Sequence, residues 1–498
     1  MFLMETQAVT LIKSELNLDR DEWYYYTNIK TGSQESPAKM MIDTTYGSSY
    51  VYARKCVGCY HVSTNPYDKS NSTTASPISC GDSLCKPVSC HRYDCHGTCH
   101  ASTRACCSKS DNSLCAYSIT FMDDTIIDGS LVRDNIMIQT TTGYSQSFPT
   151  TFGYIEDGRL GLGYRHSACA PSCINSYMDD MVDNISGVRD MFTICFGNTK
   201  GVLSYGGIDE DLYSGNITWV DFDATGYYTV ELSDFRVNNT HFFNSTKIMF
   251  TDITTLGYVM FLQTDLYDAF ATYLKTYYSH LPRITGQYSI FNDYCLNDPP
   301  SSSWPSVDVY LNGVHLILSK DLYFYPVFHE NEYYYCFSIV REKRGYDYST
   351  LGASFMRGYT LIYDRGRDRI GIATPTNACH TDVTGGIETL DPPPTPAPTP
   401  DPTTTPTTDP TTTPTTAPTP TPSIPNDDST DTLVIIMICC SLAVVVICSV
   451  IIIVSCRYYN NNQKLPNEES KANKQLLNQT RKSSKSQELA SIHKNIAF

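Results

Sequence analysis

What most constrains this chain is a plan that it states twice. Asp43 stands in Met-Met-Ile-Asp-Thr-Thr-Tyr-Gly-Ser-Ser and Asp252 in Ile-Met-Phe-Thr-Asp-Ile-Thr-Thr-Leu; each ends a short apolar run and opens a Thr-rich turn. An apolar-Gly segment follows each aspartate. Leu160-Gly161-Leu162-Gly163 places Gly161 118 residues after Asp43, and Thr350-Leu351-Gly352-Ala353 places Gly352 100 residues after Asp252. A repeat of this kind implies two related lobes. Two carboxylates, one from each lobe, can hold a proton and a water between them, which hydrolyses peptide bonds without a metal, a cofactor or a nucleophilic side chain.

Between residue 23 and about 380 the chain reads as short β-branched or alternating runs broken by Gly, Asn and Asp, so a mostly β fold is expected. A hydrophobic content of 41% with 37 Tyr in 498 residues agrees with a packed β-rich core. The division expected is an N-terminal lobe over 23–208 and a C-terminal lobe over 209–380. One helix is clear from its periodicity, Asp265 to Tyr278, where Leu266, Ala269, Phe270, Tyr273 and Leu274 share a face. A shorter one is expected near Ile174 to Met181.

The remainder points to a membrane. Leu433 to Cys456 is 24 residues without a charge, which at about 1.5 Å per residue spans a hydrocarbon core of about 30 Å. Before it, residues 388–430 are dominated by Pro and Thr and read as a stalk that buries no core. After it, residues 457–498 hold eight Lys/Arg against three Glu, so the tail is expected to be cytoplasmic. The formal charge of -16 and the absence of a basic face ahead of the tail exclude nucleic acid as a partner. Sixteen of the 20 cysteines precede the span, and sequons occur at Asn71, Asn184, Asn216, Asn238 and Asn244. Both features fit a type I, single-pass protein with a disulfide-bonded, monomeric ectodomain on the lumenal or extracellular side. Residues 1–22 lack the pattern of a signal peptide and are expected to be a remnant of a longer leader.

Taken in order, these landmarks resemble the pepsin-like aspartic proteases, from Tyr24 to about Cys379. Asp43-Thr44 with Gly47-Ser48-Ser49 is similar to that family's first active-site turn. Phe121 to Asp134 has the spacing of its flap hairpin, with Phe121 and Asp123 near the tip. Asp157-Gly158-Arg159-Leu160-Gly161, Phe192 to Cys195, Gly201 to Asp209, the Asp252 turn, Leu351 to Tyr359 and Arg369 to Ala373 follow in family order. The resemblance implies a two-lobed pepsin fold with a cleft for a peptide or protein substrate, Asp43 and Asp252 as the catalytic pair, and disulfides Cys295–Cys336 and Cys195–Cys379.

The turns depart from the family pattern. Thr45 stands where a glycine is expected, or Thr45-Tyr46 is an insertion before Gly47. In the second turn Ile253 replaces a hydroxyl residue and Thr254 a glycine, followed by Thr255. Loss of the hydroxyl at Ile253 is expected to cost about 1–3 kcal/mol and to loosen the pair. Cys80 to Cys107 packs seven cysteines with three histidines, which reads as disulfides, with a zinc cluster as the other reading. Two functions therefore stand: an acid-favouring membrane-anchored aspartic endopeptidase, or an inactive pepsin fold that binds a peptide or surface ligand. Thr45 or Thr254 wedged between the lobes' turns would favour the second.

Overall fold

The computed structural model describes residues 9–388, except 21–22, 54–65, 88–94, 96, 101, 121–125, 156–157, 170–171, 224–226, 243–248, 279–294, 330–331, 343–345 and 382. The flap-tip residues Phe121 and Asp123, the sequon at Asn244, the stalk, the apolar span and the tail lie outside them. Among the described residues no helix is long and apolar enough to cross a membrane.

Both halves are built on the same crossing of strands. In the first, Ser36–Asp43 runs antiparallel to Tyr24–Thr31 and parallel to Arg159–Gly161, with Ile42 opposite Leu160 and Asp43 opposite Gly161. In the second, Met249–Ile253 runs antiparallel to Thr229–Val237 and parallel to Ser349–Leu351, with Asp252 opposite Thr350 and Ile253 opposite Leu351. A second parallel pair flanks each crossing, Tyr50–Tyr52 with Phe148–Ile155 and Met260–Leu262 with Ile339–Arg341. The glycine that follows each crossing is fixed by space. A Cβ on Gly161 would sit 2.5 Å from the Ser48 carbonyl oxygen, and one on Gly352 2.2 Å from that of Val259. No side chain fits where two backbones come this close.

A shared sheet joins the halves. Met191–Phe196 pairs with Lys200–Tyr205 on one side and with Thr360–Asp364 on the other, and Thr360–Asp364 continues through Arg369–Pro375 to Tyr213–Asp221. Beneath the cleft, Phe192 stacks on Tyr363 at 4.6 Å between ring centroids, and Tyr228 meets Tyr363 edge-on at 4.7 Å. These rings are almost fully buried and give the two lobes one continuous core. Disulfides join Cys195 to Cys379 and Cys295 to Cys336. In the cysteine-rich segment the bonds among the described residues include Cys80–Cys107, Cys85–Cys115 and Cys95–Cys106. His100 lies beside the first of these, but the two sulfurs that would join it as ligands are bonded to each other.

Two boundaries differ from those expected. Residues 12–19, placed in the N-terminal remnant, form a strand that pairs with Lys200–Tyr205 and with Tyr24–Thr31. The cause is alternation, since Ile12, Ser14 and Leu16 point into the core. At the other end the fold runs past residue 380, because Gly386–Glu388 pairs with Val314–Leu318 and Tyr359 donates a hydrogen bond to the Ile317 carbonyl at 3.1 Å. The two expected helices fall at Tyr177–Asn184 and Thr264–Tyr277; the first starts at a Ser176–Asp179 capping box.

If Ile12–Asp19 is part of the folded core, Leu16→Ala should lower stability by about 2–5 kcal/mol. A urea unfolding curve reads this directly, and an unchanged midpoint would show that the strand is dispensable.

Candidate active site

The lobes meet through two threonines. The Thr44 N–H donates to Thr255 Oγ1 at 3.1 Å, and the Thr255 N–H donates to Thr44 Oγ1 at 3.0 Å. Each hydroxyl then donates across the lobe boundary, Thr255 to the Ile42 carbonyl at 2.6 Å and Thr44 to the Ile253 carbonyl at 3.5 Å. All of this is buried. The hydroxyl expected to be lost at Ile253 is therefore supplied by Thr255, and Ile253 is a core residue.

This reciprocity fixes which residues correspond. Ile42, Asp43 and Thr44 in one lobe match Ile253, Thr254 and Thr255 in the other. The strand register agrees, because Asp43 faces Gly161 while Ile253 faces Leu351, which sets Thr254 at the level of Gly352. Turn bonding agrees as well. Asp43 Oδ1 accepts the N–H of Thr45, two residues on, at 2.8 Å, and Thr254 Oγ1 accepts the N–H of Leu256, two residues on, at 3.0 Å. Thr254, not Asp252, thus holds the place that mirrors Asp43. Thr45 and Thr254 also share a hydroxyl–hydroxyl hydrogen bond across the lobes. Asp252, expected to be the second member of the pair, lies two residues earlier in its strand, at the level of Met41 in the first lobe.

The two aspartates sit in different surroundings. Asp43 is fully buried; its Oδ1 also accepts from the Tyr46 N–H at 3.1 Å, and its Oδ2 is 2.8 Å from Arg159 Nη1. Arg159 is itself buried, with its guanidinium 5.2 Å from the Tyr50 ring centroid. Asp252 accepts a 2.5 Å hydrogen bond from Thr229 Oγ1 and lines a cavity of about 660 Å³ that also takes in Thr45, Tyr46 and Thr254. Burial pushes its carboxyl above the ordinary carboxylate range, and the Thr229 hydroxyl partly opposes this. The same cavity holds Asp223 and Asp347 with the rings of Tyr46, Tyr227, Phe250, Phe261 and Tyr348, a lining suited to a polar or cationic side chain on an extended ligand.

The sequence of residues 24–375 matches the model of the eukaryotic aspartyl protease family. The chain belongs to that family. Its aspartic protease relatives include gastricsin of Rattus norvegicus, 27% identical over 47% of this chain and 58% of that protein. Embryonic pepsinogen of Gallus gallus is 24% identical over 50% of this chain and 61% of that protein, and renin of Echis ocellatus 23% over 70% and 80%. The chain thus spans less than two thirds of the first two. Family membership makes aspartic endopeptidase chemistry the reference against which this site is read. The first turn is anchored from two sides. The Gly47 N–H donates to Ser167 Oγ at 2.8 Å, and Ser48 is buried with its carbonyl against Gly161. Ala116–Thr120 and Ile126–Thr140, the strands on either side of the expected flap tip, pair antiparallel. The sequon residues Asn71, Asn184, Asn216 and Asn238 are all exposed. Arg159 and Thr229 carry site contacts that the sequence motifs did not assign to them.

The threonine pair should be energetically coupled. Thr255→Val leaves the buried Thr44 N–H and Ile42 carbonyl unpaired, and Thr44→Val leaves the Thr255 N–H unpaired while the Ile253 carbonyl keeps the Tyr363 hydroxyl at 3.4 Å; each change should cost about 1–3 kcal/mol, and a double-mutant cycle should show non-additivity of about 0.5–3 kcal/mol. Asp252 carries a pH signature. With its folded pKa raised, its contribution is fully present below the unfolded carboxylate pKa and is lost as pH rises through the folded value. Asp252→Asn should therefore gain stability relative to the parent as pH rises from 3 to 7, read as a growing Tm difference; a constant difference would contradict the burial of this carboxyl.

Proposed function

We propose that the chain takes up an extended peptide or protein segment in the cleft between its lobes, and that it captures this segment rather than hydrolysing it rapidly. The observation that carries this reading is the threonine at 254, in the place that mirrors Asp43. Peptide hydrolysis by this fold needs one carboxylate to take a proton from water and a second, protonated, to donate to the carbonyl oxygen. A threonine hydroxyl can donate a hydrogen bond but does not cycle its proton in the accessible pH range. Binding asks for less. The aromatic and acidic lining beside Thr254 supports recognition of a side chain, and ligands with a basic residue there fit best.

A second reading has its own support. Asp252 opens onto the same cavity as Thr254, and its neutral form is favoured by burial. In an aspartyl protease family member, that carboxyl could act as the acid partner of Asp43 and give slow, acid-dependent endopeptidase activity. In both readings we place the cleft in a type I membrane-anchored, monomeric ectodomain facing the lumen or the cell exterior. The uncharged run Leu433 to Cys456 and the disulfides of the lobes support that placement.

A mixed peptide library offered to the full-length chain from pH 3 to 7 separates the two. Capture predicts retention of peptides, enriched in Lys or Arg, without new termini. Cleavage that disappears in both Asp43→Asn and Asp252→Asn would establish the endopeptidase reading instead.

A further inference from the structure

Arg159 is the unexplained charge at this site. It sits in a strand of three buried residues, Arg159–Gly161, and its counterpart in the other lobe is the small, neutral Thr350. Its Nη1 meets Asp43 Oδ2 at 2.8 Å, while Asp43 Oδ1 is held by the N–H groups of Thr45 and Tyr46. Both carboxylate oxygens therefore carry donors from the protein, and Asp43 is not part of the cavity lining to which Asp252 and Thr254 contribute.

A buried carboxylate needs a compensating partner. In a two-aspartate site the proton shared with the second carboxyl does this. Here the mirror position is Thr254, which offers no such proton, and a guanidinium stands on Asp43 instead. The threonine and the arginine thus belong to one electrostatic arrangement. We propose that Arg159 is a positioning residue that locks Asp43: it replaces the missing carboxylic acid as charge partner and covers the oxygen that an attacking water would have to reach. This rests on the capture reading. It goes further by requiring that a carboxyl restored at position 254 alone leave the site locked.

The test compares the full-length chain with Thr254→Asp, Arg159→Leu and the double variant. Each is titrated with two peptide analogues that differ only in whether a secondary hydroxyl or a methylene replaces the scissile amide. Such a hydroxyl is recognised by an unlocked carboxyl pair and not by a locked one. The double variant should bind the hydroxyl analogue about 100-fold or more tightly than its methylene twin, as expected of a transition-state mimic. The parent and both single variants should bind the two analogues alike. In acid the double variant alone should cleave peptides, and a further Asp43→Asn change should abolish this. Equal discrimination or cleavage by Thr254→Asp alone would overturn the lock, as would a folded double variant without discrimination. Arg159→Met, which keeps the side-chain stem, replaces the leucine change if that variant does not fold. If neither folds on a Thr254→Asp background that does, Arg159 is a structural partner only and the proposal falls. Cleavage by the parent chain that depends on Asp43 and Asp252 would instead defeat the capture reading, a distinguishable result.

Discussion

The reciprocal bonding of Thr44 and Thr255 is the constraint on which the rest of the site depends. Two backbone N–H groups and two carbonyls at the tips of different lobes are bonded across the lobe boundary there, and each threonine hydroxyl serves one of each. Leaving such groups unpaired in a buried place costs more than the bonds themselves contribute, so the two turns are held in a single register. That register decides which side chains can face one another. It sets Asp43 against Thr254 and leaves Asp252 two residues back, along the wall of the cavity rather than on its axis of symmetry.

Once Asp43 lacks a carboxylic acid opposite, its surroundings follow from electrostatics. An isolated charge in a fully buried place is costly, and an arginine from the adjacent strand relieves it at hydrogen-bond distance. Tyr50 lies against the guanidinium, and the Thr45–Thr254 hydroxyl bond joins the two lobes at the edge of the cavity. The second lobe has a half-buried carboxyl of its own at Asp252, beside Thr229 and facing the cavity, with Thr350 where the first lobe has Arg159, so desolvation rather than an ion pair sets the direction of its shift. The two carboxyls thus have different partners, an arginine and two backbone N–H groups for Asp43 and a threonine hydroxyl for Asp252. A shared proton between them would require a different turn geometry.

Much of the fold was legible in the sequence because its signals are spacings and periods. The apolar run into Asp43, the Gly partners at 161 and 352, the flap hairpin around Asp128 and the helix after Gln263 all follow from alternation, turn residues and close backbone approach. Ile12–Asp19 gives little signal in the sequence because its alternation is short and precedes the first strong β run, and pairing with a strand some 185 residues later leaves no local trace. The second site position is hidden in the sequence for a different reason. Asp252 matches Asp43 by identity, whereas the structural match runs through hydroxyls: Thr-Thr at 254–255 answers Asp-Thr at 43–44. One signal was available. Arg159 places a charge inside an apolar-Gly segment that must lie against the first turn, and a charge there calls for a buried partner, of which Asp43 is the obvious choice.

The most direct measurement is a crystal structure of the full-length chain grown in acid with a peptide in the cleft. The geometry described above predicts Thr254 Oγ1 mirroring Asp43 across the lobe axis, Thr44 and Thr255 still bonded to each other, and Arg159 still on Asp43 Oδ2. A shifted second turn, with the Asp252 carboxyl within about 3 Å of Asp43 and Arg159 displaced, would contradict it and restore a two-aspartate site.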